Sequence, residues 1–328
     1  MIDKARGMGC EPRFSAEFEF FLFKETRDTL QDKGFRDLVP LDPGMFGYSW
    51  VRSGQDSDLM RDILHGMSEF DIDIEGLHTE TGPGVYEVAI RYDDALRAAD
   101  KAALFKTSMK QIAARHGLTA TFMAQWNAEL PGCSGHLHQS LWRGGVNVFH
   151  DARDARGMSR IMRSYVGGQM KLMRELTAMM SPTVNSYKRY VPGLWAPLVP
   201  SWGIENRACA LRVIGLGSKS ALRVEHRQGA ADINPYLAMA AALGSGLWGI
   251  EHEAELPPES VGDPGTTGPE RLPTSLAEAT RLMAASKAAV ELFGRDFVDH
   301  YVRTRDWESR AYQTAVTDWE LKRYFEVI

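Results

Sequence analysis

Two carboxylates, Glu17 and Glu19, stand inside the aromatic run "FSAEFEFFLF" at 14–23. On an extended strand they share one face, and Phe18 and Phe20 share the other. Neighbouring carboxylates repel, and taking each from water costs on the order of several kcal/mol unless a cation compensates. Their face therefore either meets solvent or meets something positive. The pattern recurs along the chain. In "GVYEVAIRY" Glu87 shares a face with Val85, Ala89 and Arg91, and "EGLHTE" upstream supplies Glu75 and Glu80. In "SGHLHQSLW" His136 and His138 alternate on one side, and "ALRVEHRQG" aligns Arg223, Glu225 and Arg227. Each segment alone fits a solvated face or a structural ion pair; together they point to one polar cavity. A carboxylate-rich set with an imidazole suits a hard divalent ion such as magnesium or manganese, whereas zinc favours more histidine or cysteine.

Basic residues form a second group. "NSYKRYVPG", "ENRACALR" and "RVEHR" place Lys188, Arg189, Arg207, Arg212, Arg223 and Arg227 in one half of the chain. Guanidinium forks match carboxylates and phosphates, and metals with arginines around a phosphate are the equipment of phosphoryl transfer. Arginines bound to structural acids are the alternative. The chain has no P-loop and no GxGxxG motif, so a nucleotide would be held through metals and arginines.

The elements that must position these residues can be read from periodicity. Helical spacing is clearest at 93–116, 158–180, 234–252 and 274–293, and short alternating segments cover 14–23, 84–92, 119–126, 135–142, 209–214 and 221–227. Strands not regularly separated by single helices predict an α+β fold with an antiparallel sheet. At 328 residues the chain can bury a substantial core. "DINP" predicts a helix start with Asn234 as cap and Pro235 at the first position. The stretch 255–274, rich in proline, glycine and acids, predicts a loop between two helices. A formal net charge of −5 argues against a nucleic-acid partner. Cys10, Cys133 and Cys209 lack paired spacing, which points to a reducing compartment, the cytoplasm, and away from structural zinc. The most apolar run, 236–250, is short for a membrane span and broken by glycines.

Taken in order, "AEFEFFLF", "EGLHTETGPGVYEV", "GHLHQSL", "NSYKRYVPG", "NRACALRV" and "RVEHRQGAADINPYLAMAA" resemble the signature segments of the glutamine synthetase superfamily, and "TDWELKRYFEVI" is similar to its C-terminus. The resemblance spans nearly the whole of 1–328 as one catalytic domain, and it implies that the antiparallel sheet is curved and flanked by helices. It implies metal ligands at Glu17, Glu19, Glu80, Glu87, His136 and Glu225, with Glu19, Glu80 and Glu87 around one ion and Glu17, His136 and Glu225 around the other. It implies nucleotide contacts at Glu75, Tyr92, His138, Ser140, Arg212 and Arg223, and glutamate and phosphoryl contacts at Gly132, Arg189, Arg207 and Arg227. ATP and magnesium or manganese are the implied cofactors; glutamate and an amine are the implied substrates of a homo-oligomeric enzyme that needs no membrane. The implied chemistry is transfer of the γ-phosphoryl of ATP to the γ-carboxylate of glutamate, followed by displacement of phosphate by an amine.

Three departures qualify the resemblance. Glutamine synthetases proper carry a glutamate after "VPG", on a flap that helps deprotonate ammonium; here that position is Trp195, which accepts no proton and offers a large apolar face. Sequences resembling γ-glutamyl-polyamine and γ-glutamyl-monoamine ligases share this tryptophan, so Trp195 is expected to contact an organic amine. Pro131 replaces an asparagine that helps hold glutamate. The family's N-terminal β-grasp domain, which completes a neighbouring subunit's site in a ring, is not matched by any segment of this sequence. Three expectations stand: a glutamate–amine ligase, a glutamine synthetase using ammonia, and a catalytically silent paralogue.

Overall fold

The computed structural model describes residues 1–265 and 270–327. Its centre is a ten-stranded sheet: β1 (Glu11–Phe23), β2 (Ile74–Thr79), β3 (Val85–Ile90), β4 (Asp93–Asp94), β5 (Thr119–Thr121), β6 (Gly135–Arg143), β7 (Val146–Asn147), β8 (Trp202–Ile204), β9 (Leu211–Ile214) and β10 (Arg223–His226). The main path runs β2-β3-β1-β6-β10-β9-β8, with β4 and β5 on β1 and β7 on β6. Every pairing is antiparallel except β8 with β9, which is parallel. The expected antiparallel sheet is thus a mixed one at this edge, because the turn after Ile204 delivers the chain back to β9 in the same direction.

Alternation on β1 does what its sequence predicts. Phe14, Phe18 and Phe20 are wholly buried on one face, and Arg13, Ser15, Glu17 and Glu19 are half-buried on the other. Phe18 stacks on Phe105 of the helix Ala95–Arg115, and Phe20 meets Phe122 with ring centroids 5.5 Å apart. Each such ring contributes roughly 2–3 kcal/mol by burial. Behind the sheet, the helices Arg160–Leu172 and Pro235–Glu251 cross so closely that a Cβ on Gly168 would lie 2.3 Å from the Ser245 carbonyl oxygen. The second of them starts as expected, with Asn234 accepting from the Tyr236 and Leu237 amides and Pro235 following.

Two expected helices are each interrupted. The 158–180 segment leaves regular geometry after Leu172, where the Thr177 hydroxyl donates back to the Met173 carbonyl and the Met179 amide reaches Leu176, tightening the turn. The 274–293 segment is two helices, Leu276–Ala285 and Lys287–Phe293, because Ser286 is extended and its side chain caps the second. The expected strand 119–126 ends at Thr121, whose hydroxyl accepts from the Met123 amide and turns the chain. Helices Ser57–Glu69 and Arg295–Gln313 complete the long elements. The described part of 255–274 is irregular, as expected, while 266–269 lie outside the described residues. Among the described residues no helix is long and apolar enough to cross a membrane.

Candidate active site

Strand pairing sets the polar residues in one row. Glu87 of β3 stands opposite Glu19 of β1, Glu17 opposite His136 of β6, His138 opposite Glu225 of β10, and Glu225 opposite Arg212 of β9. Since neighbouring strands lie roughly 4.8 Å apart, facing side chains converge. His136 Nδ1 is 3.3 Å from Glu17 and 3.2 Å from Glu225, and His138 Nε2 is 3.5 Å from Glu17. On the far side of Glu225, Arg227 Nη1 donates at 2.5 Å and Arg212 Nη1 at 3.2 Å.

The electrostatics follow from this crowding. Burial raises the Glu17 carboxyl, but hydrogen bonds and charge from His136 and His138 outweigh it and hold the group below the usual carboxylate range. Glu225 is likewise held low, its burial offset by His136 and then by Arg227 and His138. Burial and Arg227 lower His136, yet Glu17 and Glu225 raise it on balance. Burial pushes Glu87 up to about 7, against the hydrogen bond from His78, with the charges of Glu17 and Glu19 adding to the rise. His78 Nε2 lies 3.2 Å from Glu87 and Nδ1 3.9 Å from Glu80.

Three overlapping triplets have ligand atoms within 4.8 Å of one another: Glu17, Glu87 and His136; Glu17, His138 and Glu225; and His78, Glu80 and Glu87. Glu19 is in none of them; its carboxylate accepts from the Ser134 amide at 2.5 Å. Carboxylate oxygens with an imidazole are the donor set of hard divalent ions. The residues fit such an ion: Glu87 is buried beside Glu17 and Glu19 with His78 as its hydrogen-bond partner, and among the described residues nothing pairs with the buried His136 Nε2.

Around this floor lie two adjoining cavities that share Glu17. One, of about 430 Å³, is walled by Glu19, Glu80, Glu87, His136, Gly132, Arg189, Arg207, Arg212, Glu225 and Arg227, with Met45, Tyr48, Pro131, Leu194 and Trp195 toward its mouth. The other, of about 410 Å³, is walled by Glu75, Tyr92, His138, Ser140 and Arg223 together with Arg13 and Trp142. Every site residue expected from the sequence therefore falls in one cavity or the other. A third hollow of about 440 Å³, between residues 1–3 and the helices Ala95–Arg115 and Pro235–Glu251, holds none of them.

Local structure explains several placements. Gly132 is required where it is, since a Cβ there would lie 2.3 Å from the Ala124 carbonyl oxygen. Arg189 ends a short 3-10 turn, Ser186–Arg189, whose start is tied down by Thr183 and Ser186 donating to Asp232; its Nη1 donates to the Gln228 carbonyl. Trp195 is 72 % exposed, with φ of +60° on a non-glycine residue. Tyr48, also left-handed at φ +54°, stacks on His78 at 4.9 Å, and burial with the Glu80 charge pushes its phenol up to about 12.

Sequence reasoning missed His78, Tyr48, Arg13, Trp142 and Glu205. His78 is two residues from Glu80 and Arg13 four from Glu17, so strand alternation could have found both. Glu205 binds Arg212 Nη2 at 2.6 Å from a left-handed backbone, φ +51°, and neither it nor Tyr48 carries a sequence signal for this placement.

Comparison with known proteins accords with this geometry. A family model described as glutamine synthetase, catalytic domain, matches residues 1–324. The chain is 45 % identical over its whole length to type-1 glutamine synthetase 2 of Dictyostelium discoideum, covering 64 % of that protein. It is 40 % identical over 99 % of its length to a gamma-glutamylethanolamide synthetase of Streptomyces coelicolor, covering 69 % of it. A glutamate–isopropylamine ligase of a Pseudomonas species is 38 % identical over the whole chain, which spans 72 % of that ligase. Among solved structures, a GmaS/ADP complex superposes with a TM-score of 0.88 at 30 % identity, over 99 % of this chain and 75 % of that one.

Proposed function

The chain belongs to the glutamine synthetase family, and on that premise we propose that it joins glutamate to an organic amine at the expense of ATP, through γ-glutamyl phosphate. Members of the family are ATP-dependent ligases that act on small molecules. The observation that carries the amine reading is Trp195 at the mouth of the cavity floored by Glu19, Glu80 and Glu87 and walled by Arg189. An indole there offers an apolar surface to an amine's substituent and no base for ammonium.

In this reading Glu17, Glu19, Glu80, Glu87, His136 and Glu225 hold two divalent cations, magnesium or manganese, which when bound supply charge neutralisation at the phosphoryl oxygens. Arg189 and Gly132 orient glutamate, its α-carboxylate on the guanidinium. Arg207 and Arg227 face the transferring phosphoryl group, where fixed positive charge stabilises developing negative charge without a protein nucleophile. The γ-carboxylate oxygen attacks the γ-phosphorus and ADP leaves; the amine nitrogen then attacks the acyl carbon, phosphate leaves and a proton is lost. Glu75, Tyr92, His138, Ser140 and Arg223 hold the nucleotide in the adjoining cavity, with Arg212 meeting it from the wall of the first. The domain as a whole, 1–328, acts as the catalytic unit.

Incubation with ATP, magnesium, glutamate and a panel of amines, with mass detection, tests the proposal. A γ-glutamyl amide of one amine is expected; turnover with ammonia and with no amine overturns it. The second reading, glutamine synthesis from ammonia, is favoured by the 45 % identity to a type-1 glutamine synthetase and predicts that outcome.

A further inference from the structure

We propose that Arg13 is a nucleotide-binding residue that addresses the base, a role that rests on the nucleotide reading of the second cavity. Arg13 opens the row that β1 presents to the site: Arg13, Ser15, Glu17 and Glu19 alternate on one face. Glu17 lines both cavities, and Arg13 lines only the second, together with Tyr92, His138 and Arg223. Four residues of strand put Arg13 roughly 13 Å from Glu17 along β1. A nucleotide whose phosphates lie beside Glu17 and His138 and whose body fills this cavity extends its base toward Arg13.

The state of the guanidinium supports a ligand role. It sits 4.4 Å from the Trp142 ring centroid and 5.9 Å from that of Tyr92. Stacking engages the flat face of the group and leaves its in-plane N–H donors unspent. Asp94 stands opposite Arg13 in strand register, yet among the described residues no carboxylate comes within ion-pair distance of it. Arg223, across the same cavity, differs: its Nε donates to His138 at 3.1 Å and its Nη1 to the Ala221 carbonyl at 3.1 Å. Arg13 is thus a half-buried cation packed on two rings at the edge of a cavity, and among the described residues no side chain or carbonyl receives its donors. A guanidinium only donates, so it selects acceptors such as the ring nitrogens of a purine. The phosphates have nearer cations in Arg212 and Arg227, which reach Glu225.

The experiment is calorimetric titration of the full chain and of Arg13→Gln and Arg13→Lys, in magnesium, with ADP and separately with inorganic tripolyphosphate. Loss of a charge-assisted hydrogen bond should weaken ADP binding about tenfold or more in R13Q. R13K, which keeps the cation over Trp142 but not the fork, should fall between R13Q and the parent, and it supplies the readout if R13Q fails to fold in a thermal melt. Tripolyphosphate affinity should not change. ADP affinity within twofold of the parent in both variants overturns the assignment, as does a parallel loss for tripolyphosphate, which would make Arg13 a phosphate contact. Failure of the parent chain to bind MgADP overturns the nucleotide reading and this inference with it; a parent that binds normally confines any failure to Arg13.

Discussion

Glu17, Glu87, His136 and Glu225 project from four strands hydrogen-bonded to one another in register, whereas Met45, Tyr48 and Trp195 reach the same cavity from loops. The floor residues are buried or nearly so, with His136 joining Glu17 to Glu225 and Glu87 meeting His78; Tyr48 and Trp195 are more than half exposed and strained at positive φ. A floor of this kind fixes charge to within the precision of a sheet, as the proposed phosphoryl transfer would need. A rim of loops can change residues without disturbing that charge, so under the proposed reaction selectivity for the attacking nucleophile can vary above a constant chemical step.

Breaking the floor at its buried Glu225 should therefore cost both fold and chemistry, breaking it at the less buried Glu19 should cost chemistry alone, and altering the rim should cost neither. Glu225→Ala leaves Arg212, Arg227 and His136 without their shared anion, and a loss of about 3–5 kcal/mol in urea unfolding is expected. An unchanged midpoint would remove Glu225 from the structural floor. Glu19→Ala, less buried, should leave a folded chain whose turnover falls on the order of a hundredfold or more. Near-parent rates in the amine assay would show that Glu19, already engaged by the Ser134 amide, is not part of the machinery.

A third test probes the underside of β1. Lys106 packs over Phe18 and Phe122 and donates to the Ile233 carbonyl, and burial lowers its pKa from 10.5 to about 8. Below pH 8 it is charged in folded and unfolded chains alike, and the burial penalty is fully felt. As pH rises from about 8 toward 10.5 the folded chain sheds the proton first, so stability increases through that window. Relative to Lys106→Met, the parent should gain about 1–3 kcal/mol over the window in denaturant titrations; parallel pH profiles would place Lys106 in a more solvated setting. At the rim, Trp195→Glu should shift the ratio of amine to ammonia turnover toward ammonia by about tenfold, with stability unchanged within about 0.5 kcal/mol. A large drop in melting temperature would make Trp195 a structural residue instead.

Much of the floor was legible because strand alternation is local. Glu17 and Glu19 share a face wherever β1 goes, and the same holds for His136 with His138 and for Arg223 with Glu225. The grouping of these side chains was less legible: Glu17 groups with Glu87 and His136 as well as with His138 and Glu225, and His78 stands between Glu80 and Glu87. Those groupings depend on side-chain directions across three strand pairings. Helix ends were misread where a single hydroxyl intervened, at Thr177 and Ser286, since a side chain bonding to nearby backbone competes with continuing periodicity.

The residue types and their alternation, by themselves, determined that this chain sets carboxylates, imidazoles and guanidiniums on one face of its strands, for the period of a strand is a property of covalent geometry. Which strands lie side by side, that β8 joins in parallel, and that Tyr48, Trp195 and Glu205 reach the site from loops were decided only in three dimensions. Contacts between segments far apart in the chain depend on the packing of the whole core, and no local pattern encodes them.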